Sequence, residues 1–532
     1  MRRLPIGVQD FEDMITSGYV YVDKTDLVYK LVTGSKQYFL GRPRRFGKSL
    51  LVSTLKAYFQ GKRELFKGLA MEKLENEWKS YPVIHLDMGG ADCSTIDTFN
   101  AWLMSRLKRY ENEWGLPNNT DGIPSSQFID LIVNINKKAC QKVVILIDEY
   151  DKPLIETLGD EETNDLFRAK LRYFYGALKS ADEYLRFTFL TGVTKFSQVS
   201  VFSDLNHLAD ISMNYKYANI CGITAEELFN NFEPELLELA QAKGMNIEEV
   251  MGEMKARYDG YSFCSKIGGI YNPFSVLNTL DIREFRNYWF RTGTPTFLVK
   301  SLAKSSFNLV EFNDGITVTD DELTDYRAGS DNVTPLLYQS GYLTIKTCIN
   351  NKYTMKYVLG FPNAEVRYGF TQELFNYYTP NTKRQDFDAE KFVQDLHNRD
   401  VDGFMHRFQS FFASIPYILI SKFTAEAHYQ SIVFVIATLM GQHAAVEVYS
   451  NKGRSDLEIT LPDTRYIIEF KLNKKDADTA LAQINNKGYA EQYMVGECPI
   501  IKIGVLFDQE KRNIVEWVYD TATPYPLQKL EY

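Results

Sequence analysis

Two groups of residues in this 532-residue chain have the types and spacing to handle phosphate. The first runs Gly41-Arg42-Pro43-Arg44-Arg45-Phe46-Gly47-Lys48-Ser49, after the apolar run Tyr38-Phe39-Leu40 and before a helical pattern from Leu50 to Phe59. In a strand–loop–helix of this kind the backbone N–H groups of the loop and helix start converge on phosphate oxygens. Lys48 would neutralise β- and γ-phosphate charge, the Ser49 hydroxyl would ligate Mg2+, and Gly47 would let backbone come close. Arg45, like Arg44, is expected as a basic phosphate or surface contact. Arg42 occupies the place where such loops usually have their first glycine, and Gly41 stands one residue early.

The matching half of this site is Val143-Val144-Ile145-Leu146-Ile147-Asp148-Glu149, an apolar strand ending in two acids. Asp148 at the strand tip is expected to hold Mg2+, directly or through water, and Glu149 to polarise an attacking water as general base. A further strand ends Leu190-Thr191-Gly192-Val193-Thr194, with Thr191 and Thr194 as candidates to sense a γ-phosphate. A lone Gly-Lys-Ser carries little weight, and a strand tip with two acids is often only solvated. The ordered combination in a βα context predicts nucleotide binding.

The second group lies near the C-terminus. Gly453-Arg454-Ser455-Asp456 begins one strand and Glu469-Phe470-Lys471 ends the next. Alternation puts Glu469 and Lys471 on one face, and a hairpin would bring Asp456 to Glu469. Two converging carboxylates suit Mg2+, which can lower the pKa of a bound water, while Lys471 positions that water or neutralises developing charge. Glu426 on the preceding helix is expected to add a metal carboxylate. Gln483 on the following helix is expected to contact the metal-bound water or a nucleic-acid backbone, and Tyr489 to pack or stack nearby. A lone Glu-x-Lys is usually a solvated face; the surrounding residues make a nuclease-type site the sharper reading.

These residues require particular elements. The first two hundred residues alternate apolar strands (Tyr38–Leu40, Val83–Asp87, Val143–Ile147, Leu185–Leu190) with helices, the pattern of a parallel sheet covered on both faces. Helical periodicity follows over Thr224–Met245 and Ile247–Tyr258, then a strand pair over Gly341–Lys346 and Tyr353–Leu359, and one helix over Phe387–Phe412. Helix Ala425–Met440, strands Ala444–Tyr449, Asp456–Thr460, Tyr466–Lys471 and Ile500–Phe507, and a helix from Thr479 complete the chain. The predicted fold class is α/β: an N-terminal P-loop NTPase parallel sheet (1–215), a mainly helical, winged-helix-like middle region (216–385) and a C-terminal restriction-endonuclease-like α/β domain (386–532).

The composition bounds the alternatives. The net charge of −9 argues against a generic nucleic-acid coat while permitting a local basic groove. The six cysteines are scattered, with no C-x-x-C pair, so neither a zinc cluster nor a disulfide framework is expected. The longest apolar stretch, Ser431 to Met440, is about half the ~20 residues a membrane helix needs. A cytoplasmic protein without a membrane partner is expected. Asn473-Lys474-Lys475-Asp476 looks like a guanine-reading tetrapeptide, but it lies beyond the C-terminal strand and reads as coincidence. Asp23-Lys24-Thr25 reads as a capped helix start in preference to an adenine contact.

Over nearly its whole length the chain resembles the AAA-ATPase-like family fused to a PD-(D/E)XK nuclease-superfamily domain, found in bacteria. The marks are Tyr21-Val22-Asp23-Lys24-Thr25, the loop Arg42 to Ser49, Leu146-Ile147-Asp148-Glu149-Tyr150-Asp151, Phe202-Ser203-Asp204-Leu205-Asn206, Tyr258-Asp259-Gly260-Tyr261, Tyr271-Asn272-Pro273 and Gly341-Tyr342-Leu343-Thr344. The resemblance implies ATP binding through Lys48 and Ser49 (Walker A), with Asp148 and Glu149 as Walker B, and a nuclease triad of Asp456, Glu469 and Lys471. The expected activity is an ATP-hydrolysing protein whose Mg2+-dependent nuclease-like domain acts on nucleic acid, DNA being favoured over RNA. A signalling or binding ATPase with a catalytically inactive nuclease-like domain is the rival expectation. A nucleotide-dependent protein–protein switch is the third, and homo-oligomerisation is left open.

Overall fold

The computed structural model describes residues 2–117, 122–195, 208–264, 268–289, 315–324, 332–350, 354–378, 389–415, 426–441, 444–450, 453–473, 476–495 and 498–524. Those up to Val366 form one compact unit and those from Arg367 onward a second. The segment Phe202 to Asn206 lies outside the described residues.

The first unit is built on a five-stranded sheet of β1 (Gln37–Gly41), β2 (Val83–Asp87), β3 (Val143–Asp148), β4 (Leu185–Gly192) and β5 (Ala209–Asp210). All described pairings are parallel and the order is β2-β3-β4-β1-β5. β3 is buried throughout, as a central strand with both faces covered must be. Helices such as Ile96–Glu113, opened by a Thr95–Thr98 capping box, supply that cover. β4 lies between β1 and β3, so the loop after β1 and the acids after β3 meet at one end of the sheet. The short β5 has too few residues to leave a periodic signal, and sequence reading passed over it.

The middle residues of this unit are mainly helical, as expected. Helices Ala225–Lys243, Ile247–Tyr258 and Pro273–Ile282 share a core that includes Leu228, Leu236, Val250, Met254, Val276 and Tyr288. Ile6, Val20 and Val22 from the N-terminus pack against it. The expected strand pair is present, shifted toward the C-terminus, as β7 (Thr344–Asn350) and β8 (Met355–Gly360), with β6 (Ile316–Thr319) beside β8.

In the second unit the single helix expected over Phe387–Phe412 is two, Ala389–His397 and Val401–Ser414. Arg399 has a left-handed backbone, φ 57°, and Asp400 caps the second helix by accepting from Gly403 N–H. The apolar period runs through this break, so periodicity alone missed it. The sheet has the order β13-β12-β11-β10-β9, from β9 (Ala444–Ser450), β10 (Gly453–Thr460), β11 (Arg465–Leu472), β12 (Ile500–Asp508) and β13 (Asn513–Ala522). Only β11 and β12 run parallel, joined through helix Ala477–Asn486; the other pairs are antiparallel. β13 is half exposed, and its mixed polar pattern hid it.

Candidate phosphate and metal sites

Helix Lys48–Phe59 begins directly after Gly47, whose φ of 93° only glycine adopts freely. A Cβ on Gly47 would meet nothing within 4 Å, so the space above it is open. Lys48 is buried and bends back over the loop, donating to the carbonyls of Arg42 and Pro43, both at 3.0 Å. Burial pushes its ammonium pKa down against the opposing pull of Asp148 and Asp151. Ser49 stands near enough to the Asp148 carboxylate to favour its charged form. A hydroxyl and a hard carboxylate thus stand together beside a lysine, a donor set suited to Mg2+ and phosphate.

Asp148 is also pushed up by burial, offset by the nearby Ser49 and the Lys48 charge. Glu149 takes a left-handed backbone, φ 50°, and burial followed by the Asp148 charge pushes its pKa up. A third acid that sequence reading did not single out joins them. Asp87, at the end of β2, is the register partner of Asp148. A Cβ on Gly89 would lie 2.8 Å from the Glu149 carboxylate and 3.0 Å from that of Asp87, so glycine leaves room for both. The available signal was Val83–Asp87 ending in an acid as β3 does. Lys48, Ser49 and Glu149 line a cavity of about 470 Å³ that also has apolar walls, including Val22, Ile223 and Phe274. That volume and mixture fit a nucleotide-sized ligand.

The other expected contacts have protein partners of their own. Arg45 lines the same cavity, and its guanidinium donates to the carbonyls of Tyr288 and Trp289, both at 3.1 Å. Thr191 is fully buried, its hydroxyl donating to Leu40 O at 2.8 Å across the β1–β4 pair. Thr194 donates to Asp151 at 2.7 Å, and the same carboxylate oxygen accepts from the Val193 and Thr194 amides. Asp151 therefore ties the turn after β3 to the end of β4. Arg42 is 1% exposed and donates to carbonyls of Gly41, Ser212, Tyr217 and Ala218. It fills, as an internal brace, the place a first glycine usually takes. In Asp23-Lys24-Thr25, Asp23 accepts from the Thr25 amide at 2.8 Å and hydroxyl at 2.7 Å at a helix start.

The C-terminal residues converge on the β10–β11 hairpin. The register pairs Leu457 with Ile468, and its continuation sets Asp456 opposite Glu469. Asp456 accepts from the Phe470 amide at 2.7 Å. Glu469 is 2% exposed. Its Oε1 accepts from Lys471 Nζ at 2.8 Å and from the Gln483 amide, while its Oε2 is buried without a partner. Burial, then the neighbouring Asp456 charge, pushes the Glu469 carboxyl up to about 7. Among the described residues no cluster of three or more His, Cys, Asp or Glu is arranged to hold a metal. Two hard oxygens and an unsatisfied buried one still fit a cation that keeps several waters. Gln483 also donates toward Tyr489 Oη at 3.4 Å. Glu426 opens helix Glu426–Leu439, but its side chain lies outside the described residues.

The comparisons with known proteins agree with this layout. A family model described as "Predicted AAA-ATPase" matches residues 5–202, and one for the PD-(D/E)XK nuclease superfamily matches residues 424–517. An uncharacterized protein in the vnfD 5' region of Azotobacter chroococcum mcd 1 is 33% identical over 527 residues, covering 98% of this chain and 99% of its own. Among solved structures, the Aeropyrum pernix ORC1 protein in complex with DNA aligns over 68% of this chain and 96% of its own, with 10% identity and a TM-score of 0.24. The Aeropyrum pernix ORC2 protein, in ADPNP–ADP complexes, aligns over 64% and 87%, with 10% identity and a TM-score of 0.23. Scores that low add nothing to the topology described above. The family models and the full-length relative do, and the chain belongs to the AAA-ATPase-like proteins that carry a C-terminal PD-(D/E)XK nuclease-superfamily domain.

Proposed function

We propose that this protein binds and hydrolyses ATP at the β1–β3 site and cleaves nucleic acid, DNA before RNA, at the β10–β11 site. The observation that carries the second half is the buried, unpartnered Oε2 of Glu469 opposite Asp456. An unsatisfied buried oxygen costs about 1–3 kcal/mol, and a cation held with Asp456 would repay it. When bound, magnesium supplies Lewis acidity and a water that loses its proton more readily. Lys471 is placed to steady charge on the scissile phosphate, and Gln483 fixes the orientation of Glu469. In the first unit Lys48 exchanges loop carbonyls for phosphate oxygens, Ser49 and Asp148 hold the cation, and Glu149 takes a proton from water. We propose a cytoplasmic setting for this work; among the described residues no helix is long and apolar enough to cross a membrane.

The test is cleavage of mixed single- and double-stranded DNA and RNA by purified protein, with and without ATP and Mg2+, beside Lys471→Ala. Mg2+-dependent nicking that the variant lacks supports the proposal; equal nicking by both overturns the site.

One observation favours a second reading, a signalling ATPase whose C-terminal domain only grips nucleic acid. Lys471 is paired with Glu469 itself, as a structural ion pair would be. Retention of DNA at low salt without nicking under any nucleotide condition would select it.

A further inference from the structure

Several middle-region motifs with no part in either reaction converge on the outer side of the phosphate loop. Gly341 packs so closely on Pro43 that a Cβ would lie 2.7 Å away, and Phe46 meets the Tyr261 ring edge-on at 4.8 Å. Arg45 has a left-handed backbone, φ 67°, and its guanidinium lies 3.8 Å over the Phe274 ring. The Trp289 indole returns a bond to Arg44 O at 3.5 Å.

The carbonyls of Tyr288 and Trp289 that accept from Arg45 belong to residues held again through their amides. Glu365 Oε1 accepts from the amides of Tyr288 and Trp289, the latter at 2.9 Å, and its Oε2 accepts from the Ser275 hydroxyl at 2.7 Å. Glu365 is 2% exposed. These two residues therefore have a loop arginine on their carbonyls and a buried carboxylate on their amides. Glu365 is the second residue of helix Ala364–Tyr378, along which the chain passes from Val366 of the first unit to Arg367 of the second.

Buried charge is weak evidence for stability and is best attested where it fixes register or serves a switch. Lys48 donates to the Arg42 and Pro43 carbonyls, and a phosphate bound at the loop would compete with those carbonyls for its ammonium. A ligand shifts an equilibrium only through contacts that differ between states, and that exchange of partners is one.

We propose that the chain from Arg45 through residues 288–289 to Glu365 couples occupancy of the phosphate loop to the start of helix Ala364–Tyr378. The proposal rests on the nucleotide-binding reading above and adds its route of regulation. When a phosphate draws Lys48 off the carbonyls, the loop backbone relaxes, Arg45 moves with it, and the load on the 288–289 amides reaches Glu365.

The test is amide hydrogen exchange on the full chain with and without Mg-ATP, beside a separate titration of ATP binding. In the wild type, bound ATP should change exchange at 285–289 and along 365–378 by about tenfold. Glu365→Gln keeps the shape and loses the charge. It should bind ATP within about threefold of wild type and show less than about a twofold exchange change. The full change persisting in Glu365→Gln overturns the coupling, as does wild type that binds ATP without any change there. No ATP binding by wild type in the titration defeats the nucleotide reading itself, a result distinct from those two. If thermal melting shows Glu365→Gln to be unfolded, Ser275→Ala replaces it, with a partial loss expected and an undiminished change fatal.

Discussion

The Lys48 ammonium donates to the Arg42 carbonyl at 3.0 Å, so the loop that would receive a phosphate is held by its own lysine. Ligand binding must exchange those carbonyl bonds for stronger charge-assisted bonds to phosphate. Lys48→Ala should therefore weaken ATP binding by about a hundredfold or more, the equivalent of two lost charge-assisted bonds. Calorimetric titration checks this, and an unchanged affinity would remove the loop from the nucleotide site.

Glu149 follows the buried β3 strand, with burial and the Asp148 charge holding its carboxyl up. Glu149→Gln keeps the shape and removes the base. ATP should bind as before while turnover drops by about 10²–10⁴-fold, the usual contribution of general-base catalysis. Phosphate release under saturating ATP measures it; turnover near wild type would mean that another group takes the proton.

Glu469 gives a pH prediction. Its carboxyl is raised from an ordinary 4.5 to about 7 in the folded chain, by burial first and Asp456 second. The folded state thus binds a proton more tightly than the unfolded state does. Without added metal, stability should be greatest on this account below about pH 4.5 and fall as pH rises through about 7, because charging this group then opposes folding. Glu469→Gln should raise the melting temperature of the second unit at pH 8 and leave it nearly unchanged at pH 5. Calorimetry with chelator present tests this, and the opposite pH trend would refute the raised pKa.

Gly260 has φ 95°, and a Cβ there would lie 2.1 Å from Pro362 O. Gly260→Ala combines left-handed strain with a collision against backbone. It should destabilise the first unit by about 3 kcal/mol or more. Urea unfolding followed by tryptophan fluorescence gives the number, and a loss under ~1 kcal/mol would show that the turn can move aside.

Sequence alone carried the fold class and the local placement of several candidate residues, because those depend on local rules. An apolar run such as Val143–Ile147 must be a buried strand, Gly47 before a helix must bend backbone toward an anion, and alternation fixes Glu469 and Lys471 to one face. Who pairs with whom is another matter. Arg45 was expected as a phosphate or surface contact and Thr191, with Thr194, as a candidate γ-phosphate sensor; residue type gave no hint that Arg45 would donate to the carbonyls of Tyr288 and Trp289 or Thr191 to Leu40 O. Asp87 joined the acids only because β2 lies beside β3. Glu365 gave no signal, since its partners are 77 and 90 residues away in the chain. Residue type and spacing determine what a side chain is able to bind. Which groups stand within 3 Å of it follows from strand order and helix packing, and only the folded chain sets those, because each buried donor takes whatever acceptor the packing brings near.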